Sequence, residues 1–137
     1  MPPENVEIIR GAVDYFRTTG TPQWSTVDPD VEVYDHDIPD AGSYRGHEGY
    51  ANWLADWGEA WSDFSVDTAR FVDAGDKVVW VFQLTAKGKG SGVEVKRYDA
   101  IVFTLRNGRT VRVDYYNNEP QALQAVGLPE QDADAGS

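Results

Sequence analysis

The sequence predicts an α+β fold, a cone-shaped, curved antiparallel sheet wrapped over N-terminal helices with a central hydrophobic pocket. Three observations predict it. Helical patterns come first and a run of four long strand patterns follows. The second long helix carries an aromatic stripe that needs a surface to pack on. Finally, the strand run closes through "RNGR", a hairpin signal that makes its last two strands antiparallel neighbours.

The elements follow in order. Asn5 to Thr19 reads as a helix, because Val6, Ile9, Val13 and Phe16 fall on one face. Gly20, with Pro22 behind it, stops it. A very short helix is expected over Trp24 to Val27, and "DPD" then breaks the chain before a strand from Val31 to Asp37. "PDAGSYRG" is a loop, expected to flank the pocket entrance from Pro39 to Gly46. The next helix is expected over His47 to Ser62, with Tyr50, Trp53, Leu54, Trp57, Trp61 and Phe64 at amphipathic spacing. Strands are expected over Phe64 to Val72, Val78 to Lys87, Val93 to Arg106 and Thr110 to Tyr116. "DAGDK" and "GKGSG" serve as turn and loop. Glu119-Pro120 opens a short C-terminal helix closed by Gly127. Residues 1–128 make one domain, and "PEQDADAGS", residues 129–137, reads as a disordered tail.

Composition narrows the function classes. In a chain of 137 residues, 41% are hydrophobic and 12% aromatic, enough for a folded core. A net charge of -11 disfavours nucleic acid and anionic membrane surfaces. The absence of cysteine removes thiolate chemistry and cysteine-ligated metals and fits a reducing, cytoplasmic setting. No apolar run has the length of a membrane span, and the N-terminus lacks a signal-peptide pattern.

The candidate chemistry begins at "VEVYDHDIPD". Strand alternation puts Val31, Val33 and Asp35 on one face and His36 on the other. If the valines face the pocket, so does Asp35, and a carboxylate at an apolar wall is a candidate general base. Further along, Asp99 shares a face with Arg97, Ile101, Phe103 and Leu105. An acid in such a file needs a partner, and Arg97 or Arg112 could supply it. The hairpin register stays open at this level. A two-residue "NG" turn and a three-residue loop put Asp114 on opposite faces, and the longer loop matches Phe103 with Val113 and Ile101 with Tyr115. Trp53, Trp57, Trp80 and Phe103 are expected in the pocket wall, with His36 at its rim. Metal is not expected, because alternation splits His36 from Asp35 and Asp37. No cofactor motif is present.

The stretches "YRGHEGYANWLADWGEAW", "DAGDKVVWVFQLTAKGKGSGVEV", "VFTLRNGRTVRVDYY" and "EPQALQAVGL" resemble the SnoaL-like branch of the nuclear-transport-factor-2-like superfamily. The resemblance runs from about Val6 to Leu128. It implies the cone fold and a small hydrophobic molecule as partner, with ketosteroid isomerase and polyketide cyclase among the related activities. It further implies that Asp35 abstracts a proton next to a carbonyl while Tyr15, near the end of the first helix, and Asp99 stabilise the enolate. By helical spacing, however, Tyr15 lies off the apolar stripe. Limonene-type epoxide hydrolases of the same superfamily look similar at Arg97-Tyr98-Asp99, with Asp114 as the further acid. A non-catalytic ligand-binding or interaction module of the same fold is the alternative. A homodimer is expected through the outer face of the sheet, at Val79, Val81 and Val102.

Overall fold

The structure, a computed structural model, describes residues 4–38 and 43–128. The expected tail and Pro39, Asp40, Ala41 and Gly42 of the expected entrance loop lie outside the described residues. Helix α1 spans Glu4–Thr19, a single 3-10 turn spans Trp24–Thr26, and β1 spans Val27–Asp35. A short strand β2, Ser43–Arg45, leads into α2, Gly46–Gly58. The strands β3 (Trp61–Ala74), β4 (Lys77–Gly88), β5 (Glu94–Arg106) and β6 (Arg109–Tyr116) precede α3, Glu119–Ala125.

The six strands form one sheet in the order β2-β1-β6-β5-β4-β3. From β3 to β6 it is the expected antiparallel meander. The N-terminal strand β1 then joins β6 in parallel, with Val33 opposite Val113 and Asp35 opposite Tyr115, so the full sheet is mixed. A bulge at Ala69 separates the pairs Thr68–Phe82 and Arg70–Val81, and an extra residue of this kind bends a strand and deepens the twist.

The helix α2 is shorter than its aromatic stripe suggests. It ends at Gly58, and Trp61 pairs with Gly88 as the first residue of β3. Trp61 and Phe64 fit the helical period, yet they belong to a strand. The two hairpin readings also resolve. The turn is the two-residue one, with Asn107 at φ 53° and Gly108 at φ 78°, a conformation that suits the twist of antiparallel strands. A bulge at Val111 then shifts the ladder, so that Phe103 meets Val113 and Ile101 meets Tyr115.

Two apolar clusters flank the sheet. On the inner face Val6, Ile9 and Val13 of α1 and Tyr50 and Trp53 of α2 pack against Val31, Val33, Trp80, Ile101 and Tyr115. On the outer face Val79, Val81 and Val102 are buried with Ala122, and Val126 packs against them. These are the valines from which a homodimer was expected, and α3 of the same chain covers them. The helix is fixed in place at its N-terminal end. Asn118 caps it by accepting from the Gln121 amide at 2.9 Å, and Arg70 of β3 pairs with Glu119 in its first turn. No helix among the described residues is long and apolar enough to cross a membrane.

Candidate functional site

Between α2, the inner face of the sheet and the α1–β1 connection lies a cavity of about 460 Å³, within the usual range for small-molecule sites. Its walls hold four tryptophans, Trp24, Trp53, Trp57 and Trp80, together with Phe16, Phe82 and Tyr115. Among the lining residues that solvent reaches are Gly20, Thr21, Ala51, Ala55 and Phe64, so the mouth lies between the α1–β1 connection, α2 and the edge strand β3. A smaller chamber of about 60 Å³ adjoins it, sharing Trp53 and Trp80 as lining residues.

Alternation along each strand explains these walls. Trp80 and Phe82 point inward from β4 and Ile101 from β5, while Trp53 and Trp57 repeat every helical turn on α2. The Trp80 indole nitrogen donates to Thr68 Oγ1 at 2.9 Å, so its ring is fixed in the wall. Trp53, Trp57 and Trp80 therefore line the main cavity as the sequence suggested, and Phe103 lines the smaller chamber instead.

At one end the apolar wall meets a buried polar group. Asp35 is 5% exposed and points to the interior, as β1 alternation requires. Its Oδ2 accepts the Trp53 indole N–H at 2.8 Å, and its Oδ1 accepts the Asp37 amide at 2.9 Å. Asp35 thus stands one hydrogen bond behind a cavity wall. Burial, reinforced by the charge of Asp35, raises the Asp37 carboxyl above the usual carboxylate range, and Asn117 Nδ2 donates to Asp37 Oδ1.

Asp99 is fully buried and clamped. The Arg97 Nε donates to its Oδ1 at 2.7 Å and the Tyr115 hydroxyl donates to its Oδ2, while Arg97 Nη2 also reaches the Tyr115 oxygen at 3.4 Å. Burial alone would lower the Arg97 guanidinium, but the hydrogen bond and charge of Asp99 outweigh it and raise it. Burial, with Asp99 beside it, raises the Tyr115 hydroxyl as well. Asp99 is therefore an acceptor from two sides. The geometry matches the ion-pair reading of Asp99 rather than a donor to an enolate, since Arg97 Nε, Arg97 Nη2 (3.4 Å to Oδ2) and the Tyr115 hydroxyl together occupy its two oxygens.

Other candidates sit elsewhere. Tyr15 is 41% exposed on the outer side of α1 and lines neither chamber, because helical rotation turns it away from the Ile9–Val13–Phe16 stripe. His36 lies on the opposite face of the sheet from Asp35. There its Nε2 meets Asp114 Oδ1 at 2.7 Å, and its ring stacks on Tyr116 at 4.4 Å. Arg112 holds Asp114 through both oxygens on that same face. The Val111 bulge puts Asp114 there, so the Arg97–Asp99–Asp114 constellation of an epoxide hydrolase is not assembled. Sequence reasoning missed Tyr115 as the partner of Asp99. The signal was its pairing with Ile101 in the longer-loop alternative, which puts its ring on the pocket face.

A family described as a SnoaL-like domain matches residues 12–113. No curated protein matches the chain. Among solved structures the chain is similar to TerC co-crystallised with polyporic acid, at 22% identity over 90% of this chain and 97% of that one, with a TM-score of 0.68. A nuclear-transport-factor-2-like protein of unknown function from Burkholderia pseudomallei is 16% identical over 90% and 97%, with a TM-score of 0.70. A Catenulispora acidiphila protein with a ketosteroid isomerase-like fold, in complex with trimethylamine, is 20% identical over 86% and 93%, with a TM-score of 0.64. At these identities the structures share the fold.

Proposed function

Because the chain belongs to the SnoaL-like domain family, we propose that its cavity takes a small hydrophobic or polycyclic molecule and that Asp35 moves a proton next to a carbonyl of that molecule. The observation that carries this reading is the buried Asp35 held by the indole N–H of Trp53, a residue of the cavity wall. A base so placed is oriented by two donors, the Trp53 indole and the Asp37 amide, and screened from bulk water. A small displacement of Trp53 by a ligand brings the carboxylate and the ligand together. Arg97 supplies positive charge near Tyr115, at the wall where an oxyanion would develop, and Asp99 fixes its orientation. The small molecules held by two structural neighbours, polyporic acid and trimethylamine, support a ligand of modest size.

The test is turnover of an activated ketone, a β,γ-unsaturated cyclic ketone, by wild type and Asp35→Asn. Loss of the base should lower turnover by about 10²–10⁴-fold while binding and fold persist. Equal turnover in the two proteins ends the general-base role. A second reading, a non-catalytic binding module, is favoured by the full engagement of Asp99 and by the distance of Tyr15 from the cavity. It predicts binding of the same ketone with no turnover by wild type.

A further inference from the structure

The smaller chamber that adjoins the main cavity at Trp53 and Trp80 is lined by two hydroxyl-bearing residues that the main cavity does not use. Tyr50 of α2 is 8% exposed and Thr110 of β6 is 3% exposed, and both line this chamber. Neither the Tyr50 nor the Thr110 hydroxyl has a hydrogen-bond partner among the described residues. Burial alone, with no donor or acceptor contributing, drives the Tyr50 hydroxyl upward. Thr26, which also lines the chamber, differs: its hydroxyl donates to the Gln23 carbonyl at 2.9 Å. Neither oxygen is among the fully buried side-chain atoms that lack a partner, so each touches space that a small polar group can enter. Two residues with hydroxyls free to pair line one small space with Ile9, Val13 and Phe103, and that lining suits a polar occupant.

We propose that this chamber is a subsite for a single hydroxyl or carbonyl oxygen at the leading end of the ligand, held between the Tyr50 and Thr110 hydroxyls. Its volume of about 60 Å³ accommodates one small polar substituent, or the water that such a substituent displaces. The chamber shares Phe16, Trp53, Leu54, Trp80 and Ile101 with the main cavity, so a flat ring system in the larger space can present its end to the smaller one. Tyr50 donates to the incoming oxygen, and Thr110 either donates or accepts. The ligand class narrows from any apolar molecule to a ring system oxygenated at the end that enters the smaller chamber. This rests on the proposed cavity reading, but not on any catalytic role of Asp35.

The experiment is equilibrium dialysis of naphthalene and 2-naphthol against wild type, Tyr50→Phe and Thr110→Val, with thermal melts to establish folding. Wild type should hold 2-naphthol about three- to tenfold more tightly than naphthalene, the range for one net hydrogen bond. Tyr50→Phe should remove that preference and leave naphthalene affinity unchanged, and Thr110→Val should reduce it. If naphthalene binds but wild type shows no preference for 2-naphthol, the subsite is overturned while the cavity reading stands. A preference that survives both substitutions overturns it equally. If neither probe binds wild type, the cavity reading falls and takes the subsite with it. Should Tyr50→Phe fail to fold, Thr110→Val, which keeps the volume and branching of the side chain, decides the matter.

Discussion

Asp35 and Trp53 form the contact on which the site turns, and each is buried enough that losing it should register in stability. Trp53→Phe keeps most of the ring and deletes the N–H, leaving Asp35 Oδ2 without its donor. The expected cost is about 1–3 kcal/mol, read from chemical denaturation, and an unchanged midpoint would show that water replaces the indole. Asp37 gives a pH signature. Its folded carboxyl is raised by burial and by Asp35, so folding favours the protonated form. That stabilisation is complete below the usual carboxylate range and is lost as pH rises through the raised value. Asp37→Asn should therefore melt above wild type near neutral pH, and the gap should close as the solution is acidified. A gap that widens in acid would contradict the assignment. At this scale strand parity was sufficient to place Asp35 inward and His36 outward. The Arg97–Asp99 pair was legible from their two-residue spacing on one face. Tyr15 was not, because its expected role came from a family likeness while the helical angle pointed elsewhere.

Among the elements, α3 has an effect out of proportion to its seven residues. Leu123 is fully buried, and the helix seals the outer valines. Leu123→Ala should cost about 2–5 kcal/mol in a denaturant titration, and a loss below about 1 kcal/mol would mean that the helix docks chiefly through its N-terminal end. The sequence shows that α3 exists, since Pro120 and Gly127 bracket it. It does not show where α3 lands, because three apolar residues on so short a helix specify no partner. The same limit explains the hairpin. Asn107-Gly108 announces its turn chemistry, whereas the bulged residue, Val111, carries no glycine or proline signal. The helical period runs past the end of α2 for a physical reason: Trp61 and Phe64 satisfy it, and only Gly58 hints that the helix stops before them. Three-residue β2 is too short to leave a periodic trace.

Across the whole molecule, 23 acidic side chains face 12 basic ones. Self-repulsion on that scale opposes compaction and is screened by salt. Raising the ionic strength from a few millimolar to about 0.15 M should raise the melting temperature, and a fall would show that exposed pairs such as Arg45–Glu32 and Arg17–Asp67 outweigh the net charge. The α+β order and the aromatic pocket were legible at this scale because both depend on periodicity. The parallel β1–β6 pairing was not, since nothing local to either strand encodes a neighbour so distant in the chain. The tryptophans have one more consequence. The chain has five, of which Trp24, Trp53, Trp57 and Trp80 line the main cavity, and the ring of the fifth, Trp61, lies 6.0 Å from that of Trp57. Intrinsic fluorescence of this protein is thus emitted almost wholly from the walls of its own cavity. Any occupant that quenches or shifts that emission announces itself without a label, and a library of unmodified compounds can be screened on the native chain in a plate reader.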